Sequence, residues 1–201
     1  MKLIIHTFIF FFLLSSAFAQ QDKAMIPLRI GLVTHSVGMP FKNPIKRPLN
    51  WGISIGTTFV LKQGKISNWG QDIDMTWYRH QELGQGILLY TSLMRDFQTN
   101  FGLSIGPKVG LGYLHTFSGK QVFALQENGS YQQVTDFGRG GLLIGLGARM
   151  GWDLEKQTQI PIKPYIEYEW KGQVPHSQFT TLFPHSFVQL GAQYTFTYQK
   201  N

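Results

Sequence analysis

The chain has 201 residues, no cysteine, 22 glycines, 14% aromatic residues, only 14% charged residues and a formal net charge of +7. The absence of cysteine excludes a disulfide framework and a thiolate metal site. A charged fraction well below the roughly 25% of ordinary soluble domains argues against a surface that meets only water. The excess of Lys and Arg is not gathered into the stripe that nucleic-acid binding requires.

The first element is a targeting segment. Lys2 precedes an apolar run over 3–14 broken only by His6 and Thr7, and Ser15, Ser16, Ala17, Phe18 and Ala19 follow. A short basic start, a short apolar stretch and an Ala-x-Ala pattern describe a secretory signal peptide, residues 1–19, cut after Ala19. A membrane-spanning helix would need about 20 apolar residues, and Gln20, Gln21, Asp22 and Lys23 end the run sooner. Removing 1–19, whose one charge is Lys2, leaves residues 20–201, the length of one domain, at +6.

No later stretch has a helical period of useful length, whereas period-two alternation recurs. It predicts strands over 28–37, 51–62, 66–79, 87–97, 101–116, 141–153, 160–171 and 186–199. Their connections alternate in length: 63–65, 98–100 and 154–159 are short, 38–50, 120–140 and 172–185 are long, and 80–86 is intermediate. Short periplasmic turns, longer external loops and an even strand number are the rule for outer-membrane barrels. The expected fold is all-β, an eight-stranded antiparallel up-and-down transmembrane β-barrel spanning 20–201.

The two faces of each strand differ. In the fifth, Phe101, Leu103, Ile105, Val109, Leu111 and Tyr113 share one face, and Gly102, Ser104, Gly106, Lys108, Gly110 and Gly112 the other. All five tryptophans, Trp51, Trp69, Trp77, Trp152 and Trp170, fall on the apolar parity near strand ends. That is where an aromatic girdle meets lipid headgroups. The polar parity collects Arg29, Lys108, Arg149, Lys163 and Lys171 with Asp72, Asp74, Asp96, Asp153, Glu167 and Glu169. Facing lipid at the midplane, each cation among them would cost about 2–4 kcal/mol and each carboxylate somewhat less; facing a narrow lumen, opposite charges can pair and fill it. A nearly neutral, filled interior is therefore expected in place of a wide aqueous pore. Pro107 and Pro164 resist the scheme, since a closed ladder wants every N–H, and bulges are one way to accommodate them. In the fourth strand Leu88, Tyr90 and Met94 make the second face nearly as apolar as the first.

The signal peptide, the eight amphipathic strands and the closing Leu190-Gly191-Ala192-Gln193-Tyr194-Thr195-Phe196-Thr197-Tyr198 resemble the small outer-membrane β-barrel superfamily, the OmpA-type and OmpX-type barrels. The resemblance implies residence in the bacterial outer membrane, contact with its lipid and lipopolysaccharide, and insertion by the barrel assembly machinery. Members often end on an aromatic residue which that machinery reads; here Gln199, Lys200 and Asn201 follow Tyr198.

His35, His80, His115, His176 and His185 all fall at the external end. Two directly precede serines just outside the expected membrane span, as His176-Ser177 and His185-Ser186; His35-Ser36 closes the first strand, and Glu82 lies in the second loop. Neighbours on an extended strand point to opposite sides, so such pairs are poor evidence for a catalytic dyad. The histidines also lack metal-ligand spacing on one face. Neither a metal nor a cofactor is implied. The first long loop holds Lys42, Lys46 and Arg47 with no acid, a patch suited to lipopolysaccharide phosphates or simply to loop solubility. The favoured expectation is a non-enzymatic structural or interaction role with the external loops as contact surface. The alternatives are a lipid A-modifying enzyme of the deacylase kind, a small channel, or a secreted soluble barrel with its apolar faces turned inward.

Overall fold

A computed structural model describes residues 23–39, 49–64, 66–126, 129–174 and 182–199. The signal segment 1–19, the basic residues Lys42, Lys46 and Arg47, and His176 lie outside them. The strands are β1 (Lys23–Val37), β2 (Trp51–Lys62), β3 (Ser67–His80), β4 (Gly84–Gln98), β5 (Leu103–Phe117), β6 (Val122–Leu125), β7 (Tyr131–Val134), β8 (Arg139–Trp152), β9 (Ile162–Val174) and β10 (Phe183–Gln199), with one helical turn, α1 (Glu155–Thr158). Eight strands close an antiparallel barrel in the order β1-β10-β9-β8-β5-β4-β3-β2, β2 pairing back with β1, and β6 and β7 make a separate two-stranded sheet. This is the all-β eight-stranded barrel expected from the alternation. Closure leaves no strand edge unpaired, the condition for a sheet surrounded by hydrocarbon.

Several strands outrun the apolar alternation at the end that carries the long connections, hereafter the loop end. His80 pairs with Gly84, so the connection expected over 80–86 shrinks to a turn of Gln81, Glu82 and Leu83. Gly84 takes a φ of 88°, and a Cβ there would lie 2.0 Å from the Phe117 carbonyl oxygen. Likewise β9 continues to Val174 and β10 starts at Phe183. The β5–β8 connection is a projecting hairpin of β6 and β7, and α1 fills the turn between β8 and β9.

The prolines need no bulge. Each lies where one of its two ladders has stopped. Pro107 pairs with Ala148 on β8, but no pair joins it to β4 between Met94–Lys108 and Phe97–Ile105. Pro164 pairs with Ala192 on β10, and the β8–β9 ladder ends one residue away at Gly151–Tyr165. The missing N–H faces a gap in each case. The irregularity that does occur is in β2, where the register to β3 shifts between Val60 and Lys62.

Parity sorts the side chains as the pleat requires. Leu32, Val109, Leu111, Leu142, Ile144 and Leu190 project outward, each 59–67% exposed, while Arg29, Asp72, Lys108, Arg149 and Glu167 turn inward and are buried. A soluble ligand-binding barrel would need the opposite arrangement. In β4, Leu88, Tyr90 and Met94 take the lumen side.

Candidate functional site: the filled lumen and its loop end

The interior is stacked in layers along the barrel axis. At the end that holds the chain termini, a cavity of about 150 Å³ is lined by Met94, Asp96, Arg149 and Lys163 among others, and Lys163 pairs with Asp96 at 2.9 Å. Above it lies a buried ion network. Asp72 is the hub, receiving Arg29 at 2.9 Å, Lys108 at 3.1 Å and Arg149 at 2.7 Å, with the Thr58 hydroxyl donating to it at 2.7 Å. Arg29 also reaches Asp74 at 2.6 Å and Thr58. Lys108 bridges to Glu167 at 3.0 Å and Glu169 at 3.3 Å, Arg149 joins Glu167 at 2.6 Å, and Lys171 joins Glu169 at 2.6 Å. Arg29, Lys108, Arg149 and Lys171 thus balance Asp72, Asp74, Glu167 and Glu169. Buried charges persist only when opposite charges compensate them in this way.

An apolar layer follows toward the loop end, formed by Val33, Tyr78, Leu88, Tyr90, Leu114, Leu143 and Phe187. Lys171 couples the two layers, its Nζ lying 4.0 Å from the Tyr90 ring centre and 4.7 Å from that of Phe187. The last layer is of histidine. His35 packs on Tyr78 at 4.2 Å and on Phe187 at 4.8 Å between ring centres, and its Nε2 lies 2.9 Å from Nδ1 of His185. His185 reaches Gln173 at 3.2 Å, and the His80 ring stands edge-on to His35 at 5.2 Å. Nδ1 of His80 accepts the backbone N–H groups of Glu82 and Leu83, which fixes the β3–β4 turn over the barrel mouth. Among the described residues no group of three His, Asp or Glu is arranged to hold a metal ion.

Of the side chains assigned to the interior from sequence, Arg29, Asp72, Asp74, Asp96, Lys108, Arg149, Lys163, Glu167, Glu169 and Lys171 meet in these pairs. Asp153 forms no such pair: β8 ends at Trp152, and Asp153 follows it, lining the cavity at that end of the barrel and accepting the Glu155 N–H at 3.2 Å at the start of α1. The histidines divide. His35, His80 and His185 are interior side chains of strands: His35 lies in β1, where it was expected, whereas His80 and His185 leave the connections assigned to them because β3 and β10 extend further than the apolar pattern. Their parity, shared with Arg29, with Asp72 and with Gln189 respectively, was the available signal. His115 sits toward the outside, between the Tyr113 hydroxyl at 3.1 Å and the Phe137 carbonyl at 3.0 Å.

The tryptophans all lie on the outward parity. Trp51, Trp77 and Trp170 are near the loop end, the first two in a T-shaped pair at 5.4 Å, and Trp170 donates to the Gly38 carbonyl at 3.3 Å. Trp69 and Trp152 are near the termini end, where Phe101 stands 6.2 Å from Trp152.

No protein-family model and no curated protein sequence matches the chain. Solved structures do. The chain is similar to Neisserial surface protein A (NspA), with a TM-score of 0.55 and 9% identity over 88% of this chain and 100% of that one. It is also similar to Ail, the attachment invasion locus protein of Yersinia pestis, with a TM-score of 0.50 and 14% identity over 86% of this chain and 98% of that one. At such identities the likeness is one of fold: the chain has the architecture of the small eight-stranded outer-membrane barrels.

Proposed function

We propose that the protein is a non-conducting barrel resident in a bacterial outer membrane, acting through contacts at its loop end and not through transport or catalysis. The observation that carries this reading is the filled lumen, in which ion, apolar and histidine layers succeed one another. Such an interior offers a permeant solute no continuous polar path. A lipid-modifying enzyme of this shape would need its base within reach of acyl chains, whereas His35, His80 and His185 turn inward and are buried, and the outward His115 is engaged by the Tyr113 hydroxyl and the Phe137 carbonyl.

The contact surface is the set of loops together with the β6–β7 hairpin, on which Phe123, Leu125 and Tyr131 are 52–73% exposed, and the neighbouring Phe137 at 83%. Lys42, Lys46 and Arg47, which follow β1 in the sequence with no acid among them, are suited by charge to lipopolysaccharide phosphates. Single-channel recording in planar bilayers tests the core of the reading: no resolved opening is expected, and a stable conductance step would replace it with a channel. Incubation with lipid A is expected to leave its acyl content unchanged by mass spectrometry; loss or gain of a chain would make it an enzyme. Replacing Lys42, Lys46 and Arg47 with Gln should lower barrel stability in lipopolysaccharide-containing vesicles but not in phospholipid vesicles, and equal stability in both would remove the lipopolysaccharide contact.

A further inference from the structure

The outward face of the barrel strands carries no carboxylate among the described residues. Asp72, Asp74, Asp96, Glu167 and Glu169 all turn into the lumen. The outward ionic side chains are cations, and they stand at the two rims: Arg79 near the loop end, Lys62 and Arg95 near the termini end.

Lys62 is outward only because of the register shift in β2. Val60 pairs with Gly70, so an uninterrupted ladder would set Leu61 opposite Trp69 and turn Lys62 to the lumen side. The shift sets Lys62 opposite Trp69 instead, and Trp69 is 41% exposed on the outer surface. Re-aiming one side chain is a characteristic use of a β-bulge. On the other flank Trp69 pairs with Arg95 of β4. The Arg95 guanidinium lies 5.4 Å from the Trp69 ring centre and 5.0 Å from that of Phe97, and its Nε donates to the Ser67 hydroxyl at 3.3 Å. Neither Lys62 nor Arg95 has a carboxylate partner among the described residues. Two cations thus flank one tryptophan across three strands, roughly 10 Å apart at Cα, at the depth where aromatic rings meet headgroups. The connections at this end are on average the shorter ones, and β1 begins and β10 ends here, which corresponds to the periplasm-facing leaflet for a barrel in the outer membrane.

We infer that Lys62 and Arg95, set on either side of Trp69, form a binding site for the phosphate of an anionic glycerophospholipid in the periplasm-facing leaflet. The long aliphatic stems lie along the apolar belt while the charged heads reach the headgroup layer, and Trp69 packs beside the lipid's glycerol region. The inward-pointing network contributes nothing to the site, being neutral overall.

The test is native mass spectrometry of the full-length protein in detergent with equimolar dioleoylphosphatidylglycerol and dioleoylphosphatidylcholine, folding being checked by heat-modifiable gel mobility. The wild type should retain phosphatidylglycerol over phosphatidylcholine. Lys62→Gln and Arg95→Gln should each lower that ratio about fivefold, the worth of one cation at an anionic surface. The charge-preserving pair Lys62→Arg and Arg95→Lys should keep it, and inorganic phosphate at the same concentration should leave no adduct. A wild-type ratio near one overturns the inference without reference to any variant. So does an equal loss in Arg79→Gln at the opposite rim, which would reveal diffuse attraction to any outward cation.

Discussion

Replacing Asp72 with Asn is the sharpest perturbation of the interior. Asp72 is fully buried and receives Arg29, Lys108 and Arg149 within 3.1 Å. The substitution keeps the shape and leaves four network cations facing three carboxylates. Removing one partner of a buried ion pair costs about 3–5 kcal/mol. The stranded cations retain Asp74, Glu167 and Glu169, which argues for the lower end, and about 3 kcal/mol is roughly a hundredfold in the folding equilibrium. Reversible urea unfolding in lipid vesicles, followed by tryptophan fluorescence, should show a lower midpoint at unchanged slope. Lys108→Met alone should also destabilise, since it leaves the network with excess negative charge. Combined with Asp72→Asn it restores neutrality, so the double variant should be more stable than the sum of the singles predicts, by about 1–3 kcal/mol of coupling. An Asp72→Asn midpoint equal to wild type, or strict additivity in the cycle, would refute the claim that the network holds the barrel by charge balance.

Two further outcomes follow from packing. Gly191 and Gly31 face each other on the lumen side of the β1–β10 seam, and a Cβ at 191 would lie 2.4 Å from the Ile30 carbonyl oxygen and 2.7 Å from the Tyr165 hydroxyl. Gly191→Val should therefore cost about 1–3 kcal/mol or prevent closure, read as loss of the heat-modifiable band; a variant of wild-type mobility and midpoint would sink the reading. Deleting 122–134, the β6–β7 hairpin, should change the unfolding free energy by less than about 0.5 kcal/mol, the range of surface changes that touch no buried feature. The hydrogen bonds of Asp136 to Ser118 and Gly138 and of Phe137 to His115 remain in that deletion.

The barrel was legible because its pleat is strict. One face of each strand must be oil-like over about ten residues, and that pattern survives in any sequence that folds this way. What escaped were features that leave no such trace. The strand ends near His80 and Phe183 continue by backbone pairing after the lipid belt, and with it the apolar selection, has stopped. At four residues each, β6 and β7 are too short for alternation to show. The β2 bulge changes neither composition nor length, and Val60-Leu61-Lys62 reads as an ordinary polar strand end. Among the interior residues, parity alone placed the ions, while His80 and His185 were assigned to connections together with the strand ends that carry them. At Asp153 the strand was read one residue too long: β8 ends at Trp152, and Asp153 lines the cavity without an ion pair.

The distribution of these ions over the strands explains where the irregularity can occur. A one-residue slip turns every side chain of a strand to the other face. In β9 it would carry Glu167, Glu169 and Lys171 toward lipid, in β3 Asp72 and Asp74, in β1 Arg29, in β5 Lys108 and in β8 Arg149, with a cost that grows with each ion exposed. The network therefore fixes register in the strands that contribute to it. β2 contributes none of its members: its inward side chains include the buried Ser54 and the Thr58 that donates to Asp72. Beyond Thr58 no interior ion holds β2 in step, and it is there, between Val60 and Lys62, that the register shifts and a cation reaches the outer rim.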